Sequence, residues 1–272
     1  MAITVNTNVS SLTAQRNLAK TGSSLSTSFE RLSSGLRINR AGDDAAGLAI
    51  SEDMKAQIRS MGQAERNTND GVSMLQTAES ALSEVGGILG RMRELATQSA
   101  SGTLDATQRG YVDEEFQALS TEIDRIGAVT EYNGTALLDG TANVDLQVGI
   151  NNTADDRINV TIAAMDTTGL AIDASAVDTA ANAQAAIDSL DTAIETVSGQ
   201  RATIGATENR LQVTSSNLAS ARENLSAANS RIRDVDVASE TAALTRSNIL
   251  QQAGVSVLAQ ANQAPQLALS LL

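Results

Sequence analysis

The sequence predicts a mainly α protein made of long antiparallel helical rods in a coiled coil, with a small β-hairpin patch. Three observations predict it. Seven apolar residues recur every seven positions in the second half of the chain: Leu190, Val197, Ile204, Leu211, Leu218, Leu225 and Ile232. A matching ladder stands in the first half: Met54, Met61, Thr68, Leu75, Leu82, Leu89 and Ala96. Between them, two short runs alternate apolar and polar residues. A seven-residue repeat holds an apolar seam on one side of a helix that supercoils gently to the left. No Pro interrupts either ladder. At about 1.5 Å per residue the ladder from Leu190 to Ile232 implies a rod of about 70 Å or more.

The elements follow in chain order. Residues 1 to 33 are rich in Asn, Ser and Thr, with apolar residues at Val5, Val9, Leu12, Leu18, Leu25, Phe29 and Leu32. The later members keep helical spacing. The Ser, Thr and Asn content gives low intrinsic helicity, so this helix needs a packing partner. Gly35 to Gly47 breaks the pattern, and Asp43 or Asp44 is placed to cap the helix that follows. That reading is preferred to an anion or metal site at the pair. The first rod has a second seam of small or soft residues, Ala64, Gly71, Ala78, Val85 and Met92. The methionines read as core filling.

Ser101-Gly102-Thr103 is a turn, and a shorter helix then carries Val112, Phe116, Leu119, Ile123 and Ile126 on one face. Tyr132-Asn133-Gly134 is a hairpin turn signal. Val144, Leu146, Val148 and Ile150 alternate with polar residues, Asn151 to Asp156 is a turn, and Ile158, Val160 and Ile162 alternate again. That is a β-hairpin. An Ala- and Asp-rich connection leads to the second rod near residue 180, whose own second seam is Ala193, Thr207, Thr214, Ala221 and Ala228.

The last stretch, about 234 to 272, resembles the first in composition, with Leu250 and Val257 continuing a seven-residue spacing flanked by Ala243 and Ala264. Charge nearly vanishes after Arg246, and the chain closes through Leu267, Leu269 and Leu271. An apolar, uncharged end reads as a contact surface that folds on assembly. The expected domains are residues 1–42 with 234–272 as a terminal coiled coil, and 43–233 as a rod of three long helices with a β-hairpin region at about 131–165.

Composition narrows the function. The 272 residues carry a formal charge of -13, with two Tyr, two Phe and no Trp. A thin helical bundle needs few rings, whereas a compact core normally uses more. Net negative charge disfavours nucleic acid and anionic membranes as partners, and no window reaches the apolar length of a membrane span. The N-terminus lacks a basic region followed by an apolar core, so no cleaved signal peptide is expected. Zero Cys removes disulfides and thiolate metal sites. Zero His removes the commonest general base and the nucleophile–His arrangements. The remaining Asp and Glu are scattered along helix faces. The chain is therefore expected not to be an enzyme, and no cofactor or metal is expected.

Several blocks resemble bacterial flagellin: Ala2-Ile3-Thr4-Val5-Asn6-Thr7-Asn8, Leu32-Ser33-Ser34-Gly35-Leu36-Arg37-Ile38-Asn39 and Ala41-Gly42-Asp43-Asp44-Ala45-Ala46-Gly47. Arg91-Met92-Arg93-Glu94-Leu95-Ala96-Thr97-Gln98, Thr130-Glu131-Tyr132-Asn133-Gly134 and the ending from Ile249 to Leu272 are similar to the same family. The resemblance implies a filament subunit whose terminal segments form a coiled coil lining a hollow filament, with the rods and hairpin forming the layer around it. It implies assembly with copies of itself, through Val5, Val9, Leu12, Leu25, Phe29, Leu32, Leu250, Val257, Leu267, Leu269 and Leu271. It also implies export through the flagellar secretion apparatus, and cap, junction and export-chaperone proteins as partners. Large outer domains are missing, since only residues 130–179 separate the medium helix from the returning rod. In many members a Toll-like innate immune receptor reads the Arg-x-Arg-Glu-Leu-Ala helix and its neighbour; the matching positions are Arg91, Leu95 and Glu115. The alternative is a hook–filament junction protein, which shares flagellin-like ends.

Overall fold

The computed structural model describes residues 7–269, with side chains described as far as residue 263. Five helices, α1 (Val9–Ser34), α2 (Ala45–Ser99), α3 (Ala106–Val129), α4 (Ala180–Arg233) and α5 (Val237–Leu269), account for most of the chain. Four short strands lie between α3 and α4: β1 (Glu131–Tyr132), β2 (Thr135–Ala136), β3 (Asn143–Gln147) and β4 (Arg157–Thr161). The described chain divides into two compact units. Gln57–Glu223 forms a central unit, and the described residues up to Ala56 join those from Asn224 onward in a terminal unit.

In the central unit α2 and α4 run antiparallel, as their cross-links show. Arg93 pairs with Asp191, the Arg201 guanidinium donates to Glu79 at 2.9 Å, and Gln76 donates to Glu208 at 3.0 Å. Arg222 meets Glu65 at 2.8 Å. Between these rims lies the ladder: Leu75, Leu82, Leu89 and Ala96 with Leu190, Val197, Ile204 and Leu211, all buried. Ala78, Val85 and Met92 fill the second seam, also buried. Thr68 is buried too, and its hydroxyl donates to the Ala64 carbonyl at 2.7 Å, so the one polar rung leaves no unmet hydrogen bond.

The repeat outruns the burial it predicts. Met61 and Leu218 in this unit are only half-buried, although the seven-residue spacing continues through them. Two helices alone leave a seam partly open to water. The fully buried rungs share one cluster with Val112, Phe116 and Ile123 of α3 and with Ile158 and Val160 of β4, so a third layer completes the core. α3 starts in a capping box, the Asp105 carboxylate accepting from the Gln108 backbone N–H and the Gln108 side-chain oxygen accepting from the Asp105 N–H. Arg109 ties the preceding turn down by donating to the carbonyls of Ser99 and Ser101.

The hairpin signals take the expected shape. β1 and β2 pair through a two-residue loop with Asn133 at φ 51° and Gly134 at φ 77°, the conformation that an Asn-Gly pair adopts most readily. β3 and β4 pair antiparallel with Val144 opposite Val160 and Leu146 opposite Ile158. Ile158, Val160 and Ile162 are buried, and Leu146 and Val144 pack against the same cluster.

Residues 163–179 read in the sequence as a plain connection, yet they are part of the core. Met165, Leu170, Ile172 and Val177 are buried. Two α3 carboxylates hold the segment: Asp124 accepts from the backbone and hydroxyl of Thr167 at 2.8 and 2.7 Å, and Asp113 accepts from the Val177 N–H at 2.8 Å. The segment has no period for a pattern search to find, because each residue is fixed by a different partner.

In the terminal unit α1 and α5 pair antiparallel. The Asn8 amide donates to the Ala261 carbonyl at 2.7 Å, Ser11 donates to Asn262 at 2.8 Å, and Arg31 faces Glu240 at 3.8 Å at the other end. Two linkers join there: the Val235 N–H donates to Gly35 at 3.0 Å and the Arg37 N–H to Arg233 at 2.6 Å. The terminal segments therefore supply each other the packing partner that their weak propensity requires.

Candidate functional site

Each terminal helix has two faces with different fates. The face turned to the partner is a heptad seam: Ser11, Ala14, Leu18, Leu25, Ser28 and Leu32 on α1, buried or half-buried. Leu244, Gln251, Gly254, Leu258 and Ala261 form the matching row on α5, all half-buried. Gly254 matters here because a Cβ would sit 3.3 Å from the Leu18 side chain. The seam contains serines, glutamine and glycine, so it aligns the helices while burying little apolar surface.

The outward faces carry the larger apolar load. Val9, Leu12 and Phe29 on α1 and Val237, Ile249, Leu250, Val255 and Val257 on α5 are all more than half exposed, Phe29 at 55 % and Ile249 at 60 %. Leu250 and Val257 line a groove of about 270 Å³ with Ala14, Leu18 and Gly254. A second groove of about 660 Å³ runs along α5 beside Thr241, Thr245, Ile249 and Leu250. Leu250 lies at the edge of both. Most of the large apolar side chains left exposed among the described residues are on these two helices, and exposed apolar surface gathered on one pair of elements marks a contact surface.

The residues singled out in the sequence fall into three groups. Val9, Leu12, Phe29, Leu250 and Val257 lie on the outward faces, whereas Leu25 and Leu32 belong to the seam between α1 and α5. Val5 and Leu271 lie outside the described residues, as do the side chains of Leu267 and Leu269. The spacing of Leu250 and Val257 does not mark the seam; that runs one position later, through Leu244, Gln251 and Leu258. Gln251 in the middle of that row hides it from an apolar count. Ile249 and Val255 were not singled out, and their signal is the same uncharged stretch after Arg246.

Arg91, on α2, donates twice to Glu115 of α3, at 3.0 and 2.8 Å, and once to Glu94 at 3.0 Å. These hydrogen bonds, the one to Glu115 first, raise the Arg91 pKa further above its usual value. Arg91 and Glu115 are each about half exposed. Leu95, the third position of that group, is 2 % exposed and sits in the core. It supports the surface from beneath and offers no face to a partner.

Asp43 and Asp44 both serve the backbone. Asp44 accepts from the Gly47 N–H at 2.9 Å, capping α2, and Asp43 accepts from the N–H groups of Arg40 and Asn39. Those backbone donors hold the Asp43 pKa below the usual aspartate value. Among the described residues no group of three or more His, Cys, Asp or Glu is placed to hold a metal ion, and no described helix is long and apolar enough to cross a membrane.

Known proteins match this sequence over almost its whole length. The family model for the bacterial flagellin N-terminal helical region matches residues 5–143, and that for the bacterial flagellin C-terminal helical region matches residues 187–272. A flagellin of Halalkalibacterium halodurans is 49% identical over 269 residues, covering 98% of this chain and 99% of that one. The crystal structure of Bacillus cereus flagellin aligns with a TM-score of 0.50 at 38% identity, covering 56% of this chain and 88% of that one. A putative flagellar hook-associated protein from Vibrio parahaemolyticus aligns with a TM-score of 0.61 at 15% identity, covering 71% of this chain and 100% of that one, a likeness of fold alone.

Proposed function

Because the chain belongs to the bacterial flagellin family and is a subunit of the flagellar filament, we propose that it polymerises through the outward faces of α1 and α5. The family is structural, and its members are exported to the cell exterior. The observation that carries the proposal is the unpartnered apolar surface of Val9, Leu12, Phe29, Ile249, Leu250 and Val257. Fully burying side chains of this size stabilises by about 1.5–3 kcal/mol each, and a second copy presents the same faces. Contacts that repeat head to tail without closing give a filament. In this reading the terminal pair of α1 and α5 lines the filament channel. The chain performs no catalysis, is exported to the cell exterior, and meets cap, junction and export-chaperone proteins on its route.

The test is electron microscopy of the purified full chain incubated with short filament seeds. Long uniform filaments are expected. Persistent short caps would move the reading to a hook–filament junction protein. The double variant Leu250→Ser with Val257→Ser is expected to stop elongation while helix content stays unchanged, because both side chains are on the exposed face. Normal elongation by that variant would overturn the assignment of the surface.

A second reading rests on Arg91 and Glu115, paired and half exposed on adjoining helices. They offer a Toll-like immune receptor a charged patch, with Leu95 holding the helix beneath it. Binding of the full chain to the receptor ectodomain is expected to fall at least several-fold in Arg91→Ala. Undiminished binding would remove this reading and leave the pair as a surface ion bridge.

A further inference from the structure

The turn at Asn133-Gly134 has a chemical property apart from its geometry. Asn133 is the one Asn in the chain followed by Gly. A side-chain amide next to glycine is open to attack by the glycine's own backbone nitrogen, since no Cβ obstructs the approach. Here the surroundings leave that attack free. Asn133 and Gly134 are both exposed, and nothing lies within 4 Å of where a Gly134 Cβ would be. In a two-residue hairpin loop the ladder bonds join the flanking residues, here Tyr132 and Thr135, so the Gly134 N–H is outside the ladder.

Two Asp-Gly pairs provide an internal contrast, because they can form the same ring. Asp139-Gly140 is locked: Asp139 accepts from the Thr141 N–H at 2.9 Å and from the Thr141 hydroxyl at 2.8 and 2.9 Å. Those bonds keep the Asp139 carboxyl ionised, lowering its pKa, while ring closure requires the neutral acid. Gly140 is also wedged against Ala164, 2.9 Å from the place of a Cβ. Asp70-Gly71 lies inside α2, where Gly71 is buried against Leu146 and the helix engages the backbone N–H groups.

We infer that Asn133-Gly134 is a site of spontaneous covalent modification, converting on standing to aspartyl and isoaspartyl forms. The Gly134 nitrogen loses its proton and bonds to Cγ of Asn133. The Cγ–Nδ2 bond breaks and ammonia leaves, giving a cyclic succinimide. Water then opens the ring at either carbonyl, so the net change is one amide and one water becoming one acid and one ammonia, without oxidation or reduction. Opening at one carbonyl gives aspartate and an added negative charge. Opening at the other routes the main chain through the side-chain carbon and adds one backbone atom to a two-residue loop. That loop cannot keep the Tyr132–Thr135 register with an extra atom. The strain reaches the core directly, since Leu137 donates its N–H to Thr130 at 3.0 Å and is fully buried. A subunit thus carries a record of its age at one exposed turn, and the converted form has a loosened hairpin.

The test uses the full chain incubated at neutral and at alkaline pH, sampled over time. Tandem mass spectrometry of the peptide between Arg125 and Arg157, with isoaspartyl methyltransferase labelling, locates the product. Conversion at Asn133 is expected ahead of every other Asn, faster at alkaline pH, with Asp139 and Asp70 retaining normal linkages. The label is expected to be lost in Asn133→Gln. Amide exchange at Leu137 is expected to quicken as the isoaspartyl fraction grows. If Asn133 stays intact in the native chain while the urea-denatured chain converts, the turn protects the site and the inference fails. Equal conversion at several Asn residues would overturn it as well. Neither outcome depends on polymerisation.

Discussion

Deleting residues 1–30, or residues 243–272, is expected to leave a chain whose central unit folds and which forms no filaments. Each deletion acts twice. The first removes Val9, Leu12 and Phe29 from the outward surface together with most of the α1 half of the seam; the second removes Ile249, Leu250, Val255 and Val257 together with the α5 half. The helix left behind keeps its low propensity and loses the partner that orders it. Ordering it again costs about 1–2 kcal/mol per residue of backbone entropy, which the remaining exposed side chains, at about 1.5–3 kcal/mol each when buried, cannot offset alone. Polymerisation is therefore lost, not merely weakened. The buried cluster from Met74 to Leu211 contains none of the deleted residues, so cooperative unfolding of the central unit should persist in both variants by circular dichroism. Filaments like those of the full chain from either deletion would show that the terminal faces are not the assembly surface. Loss of cooperative unfolding would show that the central core is incomplete without them.

What could be read from the sequence divides along a physical line. The ladders, the α3 face, the Asn-Gly turn and both strands of the β3–β4 hairpin were legible because each is periodic or uses a turn with a specific residue requirement. The burial that follows from periodicity was legible only in part. The spacing through Met61 and Leu218 is as regular as that through Leu75 and Ile204, yet Met61 and Leu218 remain half-buried. Periodicity reports which side chains share a face, not whether a third layer covers that face. Residues 163–179 were illegible for the opposite reason. Their order comes from Asp113 and Asp124, carboxylates on another helix that look like solvated surface in the sequence. At the terminal pair the composition announced a contact surface, but the division between Leu25 and Leu32 in the seam and Phe29 outside it needed the relative rotation of two helices. Leu95 is the same case: one residue in a charged helix block, turned inward by a rotation that its neighbours' charges do not reveal.

Phe116→Ala is expected to destabilise the central unit by about 3–5 kcal/mol, the range for emptying an aromatic site in a core. Phe116 is one of two Phe in the chain and is fully buried in the cluster that joins α3 to the ladder. Two kinds of contact hold α3 in that cluster, and their magnitudes decide which dominates. The Arg91–Glu115 pair has good geometry, but both partners are about half exposed, and such pairs contribute between zero and about 1 kcal/mol. Val112, Phe116 and Ile123 are buried, and each contributes about 1.5–3 kcal/mol through burial before the cavity left by a truncation is counted. Apolar burial should therefore hold α3 in place, with the ion pair setting only surface detail. Denaturant unfolding of three variants separates the terms: Phe116→Ala with the large loss, Glu115→Ala within about 1 kcal/mol of the native chain, and Tyr111→Ala, a 67 % exposed ring on the same helix, within about 0.5 kcal/mol. A Glu115→Ala loss equal to that of Phe116→Ala would mean that charge pairing docks α3. The patch offered by Arg91 and Glu115 would then be a structural element first and a recognition surface second.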